Sequence, residues 1–131
     1  PAILGKNCND NFLKKIIKSL KKNKTINIWD EKKLFNNFIH IEDLNSLVEG
    51  FILNKFKSKK TIIECKVKNP MNLKDTILNL KKKLKSNSKI NILRSNNESK
   101  KKKEGSRAQK YNFFSSKKTL LLFLKDSKSM K

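Results

Sequence analysis

Few side chains in this sequence can act as an acid, a base, a nucleophile or a metal ligand. Its one histidine, His40, has no cysteine or carboxylate at metal-ligand spacing. Cys8 and Cys65 stand in different local settings, with no Cys-x-x-Cys or Cys/His pattern. The spacing predicts neither a disulfide framework nor a zinc site, and it points to a reducing, cytoplasmic location.

What the sequence has in quantity is positive charge. The 131 residues include 33 Lys or Arg against 11 Asp or Glu, a net charge of +22. A basic surface gains affinity for phosphates by releasing their counterions, whatever the base sequence. Yet 31 of the 33 are Lys and only Arg94 and Arg107 are Arg, although Arg is the bidentate reader of phosphate and guanine. The 17 Asn, with abundant Ile and Lys, read as nucleotide-composition bias in the encoding genome. Residues 1–54 carry a net +3 and residues 55–131 a net +19. The run 100–103, inside 95–109, has no apolar periodicity and reads as a solvated basic loop. The charge is therefore read mainly as solvated surface. A small basic RNA- or DNA-binding module is the alternative.

The elements that must position any site follow from periodicity. Apolar residues make up 36% of the chain, in short periodic blocks that separate it from a disordered polycation. No stretch approaches the ~20 apolar residues of a membrane span, and no signal segment opens the sequence. Asp10 is the expected cap of a first helix, with Phe12, Leu13, Ile16, Ile17 and Leu20 on its core face, ending near Lys24. Residues 25–29 alternate as a half-buried strand, and 30–33 form a turn. Residues 34–41 are aromatic and β-branched enough to be extended. Leu44, Leu47, Val48, Phe51, Ile52 and Phe56 then trace one helical stripe, with Glu42 and Asp43 suited to the positive end of its dipole.

Residues 61–65 read as another strand. Asn72 with Asp75 reads as the cap and acidic first turn of a helix whose seam is Leu73, Ile77, Leu80 and Leu84, and 89–93 as an alternating strand. Ser116 is the expected cap of a last helix, in which Leu120 to Leu124 are either buried all round or face a missing partner surface. Pro1 to Gly5 reads as the end of a buried strand, so the chain is expected to begin within a fold. The alternation predicts an α/β fold, with no internal repeat visible.

Residues 34–44, Leu-Phe-Asn-Asn-Phe-Ile-His-Ile-Glu-Asp-Leu, resemble the Arg-Asp-Phe-Ile-His-Val-Asp-Asp-Leu stretch of the extended short-chain dehydrogenases/reductases, the NAD-dependent nucleotide-sugar epimerase and dehydratase family. Neighbouring segments fit in order. Residues 1–6 look like the family strand after the catalytic helix, Asp10-Asn11-Phe12 like its substrate-contacting helix start, and 24–29 like its Pro-Ile-x-Ile-Phe/Tyr-Gly strand. Asn69-Pro70-Met71-Asn72-Leu73 is similar to its Pro-x-Ser-Leu-x-Glu-Leu helix start. Residues 111–124 are more weakly similar to its closing helix.

The resemblance implies the C-terminal, substrate-binding part of an extended Rossmann-type α/β fold, with the N-terminal dinucleotide-binding portion missing. Residues 1–94 would hold the end of the Rossmann sheet and the substrate-binding subdomain, 95–110 a basic flexible insert, and 111–131 the C-terminal helix and tail. Residues 1–6 and 61–65 would join the main sheet, and 25–29 and 89–93 the smaller one. The full enzyme would bind a nucleoside-diphosphate sugar and NAD or NADP, in surface polysaccharide precursor synthesis, as a homodimer.

Gly5, Gly50 and Gly105 are too far apart for the family's Gly-x-Gly-x-x-Gly turn, and Tyr111 is followed at i+4 by Ser115 where a Tyr-x-x-x-Lys pair needs lysine. The chain alone is thus expected to be catalytically silent. The resemblance implies substrate contacts at Asn11 and Phe12 (helix start, against the diphosphate) and at Trp29 (against the base). Phe12 also belongs to a core stripe, and Trp29 equally suits a strand-end core position. Asn36 stands where the family has a phosphate-gripping Arg, so either the substrate pose differs or a nearby cation, Lys32, Lys33 or Arg107, supplies the charge. Asn37 replaces the motif's Asp. His40 and Asp43 are expected to be structural and positioning residues.

Overall fold

The computed structural model describes residues 2–53, 65–93 and 113–128. In chain order its elements are β1 (Ala2–Leu4), α1 (Phe12–Lys21), β2 (Ile26–Trp29), β3 (Leu34–Phe35), β4 (Phe38–His40), α2 (Ile41–Ile52), β5 (Met71–Asn72), α3 (Leu73–Leu84), β6 (Ile90–Leu93) and α4 (Ser116–Lys128). The fold is mixed α/β; among the described residues there are three two-stranded sheets, β1–β4 and β2–β6 parallel and β3–β5 antiparallel. The basic insert 95–110, Arg107 and the expected strand at 61–64 lie outside the described residues. Among the described residues no helix is long and apolar enough to cross a membrane.

The chain forms two compact units. The first contains β1, β4, α2 and α4, and the second contains α1, β2, β3, β5, α3 and β6. In the first, Leu4 of β1 lies opposite His40 of β4, and the core is built from Leu4, Phe38, Ile39, Leu120, Phe123 and Leu124. Leu47 and Phe113 are also buried, with Phe51 and Cys65 packed against them. The chain leaves β1 through Gly5, where an added Cβ would stand 2.9 Å from Ile41 Cγ2. Only glycine lets the backbone pass so close to the first residue of α2.

Four expectations for this unit are corrected. The extended segment 34–41 is two short strands, and helix already begins at Ile41. On α2, Asp43, Leu47 and Gly50 face inward, whereas Val48 and Ile52 are exposed. The helix is rotated from its purely apolar stripe because the Asp43 carboxylate is drawn in by a backbone N–H. Ser115, not Ser116, caps α4: its Oγ accepts from Lys118 N at 3.3 Å, while Ser116 N donates to Lys68 O at 2.9 Å. Leu120 to Leu124 are not buried all round. Buried positions on α4 recur as Ser116, Thr119, Leu120, Phe123, Leu124 and Ser127, which leaves Leu121 42% exposed.

The second unit is two α-then-β halves, α1–β2 and α3–β6. Each helix is capped by an asparagine. Lys14 N donates to Asn11 Oδ1 at 3.0 Å, and Asp75 N to Asn72 Oδ1 at 2.7 Å. Each strand begins Ile-Asn-Ile, and the strands pair in register, Ile26 with Ile90 and Ile28 with Ile92. The two halves share this order of elements, although their helices differ in length, 10 residues in α1 and 12 in α3. The strands 25–29 and 89–93 pair as expected. Leu13, Ile16, Ile17 and Leu20 of α1 and Ile77 and Leu80 of α3 form the core with Ile26 and Ile28.

Candidate functional site

Both links in the second unit are short, so each strand folds back along its own helix. The N-termini of α1 and α3 consequently lie at the same end as the carboxyl ends of β2 and β6. In parallel α/β arrangements that is the end where ligands bind.

Trp29 closes β2 there, in register with Leu93. Its side chain is on the face away from Ile28 and is 57% exposed, which removes the reading of Trp29 as a core residue. Asp30, which follows, has φ 58, a left-handed turn that an Asp tolerates, and it ends the strand at the indole. Behind Trp29 on the same face, Asn91 Nδ2 donates to Asn27 Oδ1 at 3.1 Å.

At the start of α1, Asn11 is the cap expected of Asp10. Asn11 Nδ2 donates to Asn9 O at 3.2 Å, fixing the amide. Asp10 is instead drawn to Lys18 (3.3 Å) and Lys14 (3.6 Å). The Lys18 hydrogen bond and charge hold its carboxyl below the ordinary aspartate value. The core reading of Phe12 is also corrected. Phe12 is 45% exposed and leans on Phe35, ring centroids 5.7 Å apart at 57°. The helical stripe begins at Leu13, because Phe12 occupies the first helical position, outside the packed face. No acidic residue stands in the first turn of α1, whereas α3 carries Asp75. At α1 the nearest carboxylate is Asp10, just before the cap and paired with Lys14 and Lys18.

Asn36, half-buried, lies in the link from β3 to β4 and belongs to the first unit. The structure brings Asn11, Phe12 and Trp29 into one unit and Asn36 into the other. Lys32 and Lys33 are exposed beyond β2. The aromatic partner Phe35 was missed by sequence reasoning, since a pair across 23 residues leaves no local signal.

His40 and Asp43 form a separate constellation in the first unit. His40, 2% exposed, caps α2: Glu42 N donates to His40 Nδ1 at 3.3 Å. With Nδ1 an acceptor, the proton sits on Nε2, which faces Asp126 Oδ2 of α4 at 3.2 Å. Both ring nitrogens are engaged and out of solvent, so the imidazole has no reachable nitrogen for proton transfer. Asp43 holds the other end of α4, where Phe114 N donates to both carboxylate oxygens at 3.0 Å. Among the described residues no group of three or more His, Cys, Asp or Glu could hold a metal ion.

Burial raises the Asp43 carboxyl above the ordinary aspartate value, against the lowering effects of the Phe114 N–H, His40 and Lys118. The folded state therefore holds this proton more tightly than the unfolded chain. The associated stability is complete below the unfolded value and is lost as pH rises through the raised one. Asp43→Asn removes this titration while keeping an acceptor for Phe114. In urea unfolding between about pH 4 and pH 6, the wild type relative to Asp43→Asn should lose stability as pH rises. A parallel pair of curves would contradict the assignment.

Compared with known proteins, the chain matches no family model and no curated protein.

Proposed function

We propose that the chain is the substrate-binding part of an extended short-chain dehydrogenase/reductase, and that the second unit receives a nucleoside-diphosphate sugar. One observation carries the reading: an exposed tryptophan at the carboxyl end of a parallel strand, 57% accessible. An indole in that place offers a flat apolar face on which a base stacks while water is excluded. The N-terminus of α1, with Asn11 and Phe12 and with the Asp10 carboxylate paired to Lys14 and Lys18, favours the diphosphate. Lys32 and Lys33 are available to add the charge that Asn36 cannot.

The first unit supports the same reading. Among the described residues the parallel β1–β4 sheet has two strands, whereas parallel sheets are normally larger and covered on both faces. Ile3 of β1 is 44% exposed. A layer packed over that face would cover it, as the dinucleotide-binding portion does in this proposal. The residues present do not fit NAD or NADP. Gly5 alone follows β1, and its bareness is already used by Ile41. Redox chemistry and its coenzyme are accordingly assigned to that other portion, and this chain to binding the sugar nucleotide in the cytoplasm.

Trp29 is the only tryptophan, so its emission reports on the site directly. Titration with UDP-glucose, dTDP-glucose and GDP-mannose should give a saturable change with at least one of them. By calorimetry, Trp29→Ala should weaken that binding roughly tenfold to a hundredfold, the worth of one base–aromatic stack, and Trp29→Phe much less. A flat titration with all three on a chain whose circular dichroism shows it folded would refute the proposal.

A further inference from the structure

The end of the second unit opposite Trp29 is built differently. There the C-termini of α1 and α3 are laced together by small polar side chains. Ser86 Oγ donates to Leu20 O at 2.7 Å, Ser88 shares a 2.9 Å hydroxyl contact with Ser86, and Asn87 N donates to Asn23 Oδ1 at 2.8 Å. Ser86 and Ser88 are buried. The lacing sets two runs of lysine side by side, with Lys22 and Lys24 after α1 and Lys82, Lys83, Lys85 and Lys89 at and after the end of α3, all exposed.

Carboxylates are segregated from them. The described acidic residues of this unit are Asp10, Asp30, Glu31 and Asp75, and all four stand at the helix starts or just beyond β2, at the far end. Some lysine at a helix C-terminus is expected from the dipole, but two helix ends carry together only about one negative charge. Six ammonium groups exceed that several-fold. Lysines such as Lys32, Lys33 and Lys74 also stand at the far end, but there they share the surface with these four carboxylates, whereas among the described residues the laced end carries lysine and no carboxylate.

We infer that the laced end of α1 and α3 is a docking surface for the phosphodiester backbone of nucleic acid, contacted without regard to base sequence. Its chemistry selects against other polyanionic partners. Firm attachment to an anionic membrane surface adds inserted apolar side chains to the charge, and at this end Ile26 is buried and Leu84 and Ile90 are half-buried. A protein partner needs an apolar or aromatic centre, and lysine is depleted from such interfaces. A run of phosphates needs only closely spaced cations, and lysines without arginine contact it regardless of base sequence. The surface shares no residue with the sugar-nucleotide site and stands or falls separately from it.

The test is the anisotropy of a labelled 20-nucleotide oligouridylate titrated with the chain at several salt concentrations. With about five phosphates engaged, binding should weaken roughly a hundredfold from 50 to 200 mM salt. Lys82→Glu, Lys83→Glu and Lys85→Glu together should weaken it at least tenfold at low salt and make the logarithmic salt slope shallower by about 2. The same charge change at Lys6, Lys117 and Lys125, exposed residues of the first unit, should weaken it less than threefold. The neutral triple of Lys82→Gln, Lys83→Gln and Lys85→Gln must rank the same way, which guards against misfolding of the charge-reversed protein. Equal losses from the two glutamate triples, tighter binding to phosphatidylserine vesicles than to the oligonucleotide, or no binding at 50 mM salt would each overturn the inference.

Discussion

Phe123→Ala should destabilise the first unit by about 3–5 kcal/mol. Phe123 is fully buried at the centre of the inward stripe of α4, so truncation removes a ring from water-free packing and leaves a void that rigid neighbours on β4 can only partly fill. Against the ~5–15 kcal/mol that holds a typical domain together, such a loss is enough to unfold much of the population. Leu121→Ala, two positions away and 42% exposed, should cost under ~1 kcal/mol. Urea unfolding followed by circular dichroism compares the two. Similar costs would mean that the helix does not pack in this rotation.

The second large effect is expected at His40. Alanine there removes the cap of α2, worth about 1 kcal/mol. It also removes a hydrogen bond to a partly exposed carboxylate, worth about 1 kcal/mol after solvent screening, and it opens a cavity at a fully enclosed position. The sum is about 3 kcal/mol. His40→Asn keeps an N-cap acceptor and should recover roughly 1 kcal/mol of it, whereas Asp126→Asn should lose only the charge-assisted part. If His40→Ala proved as stable as the wild type, the ring would not be joining the two helices.

The sequence made much of this fold legible because the second unit obeys local rules. The Asn72–Asp75 pair and the β-branched run at 89–93 are nearest-neighbour patterns, and the cap and the strand are both found, although burial along β6 does not alternate. What was hidden depends on distant partners. Nothing around residue 43 says that Phe114, far along the chain, will pull an aspartate inward and turn α2 away from its most apolar face. Nothing around Phe12 says that its ring will lean on Phe35 outside the core. The Asp10 expectation failed for a different reason. Two adjacent residues were both good caps, and the lysines one and two turns into the helix captured the carboxylate and left the role to Asn11. As for the candidate site, Trp29 could be named from sequence, but only its exposure distinguishes a binding surface from a core position.

The two units are interleaved along the chain, and this bears on how the protein is made. As the chain leaves the ribosome, β1 must wait for β4, with α1, β2 and β3 intervening, and β2 must wait for β6, its partner 64 residues downstream. When residue 70 emerges, each unit holds only part of its elements and neither has a closed core. Such long-range pairings impose slow folding and expose apolar strand edges in the interval. Completion of the first unit by α4 comes last, so a nascent chain stalled before residue 113 should remain a substrate for chaperones and proteases, however sound its second unit has become.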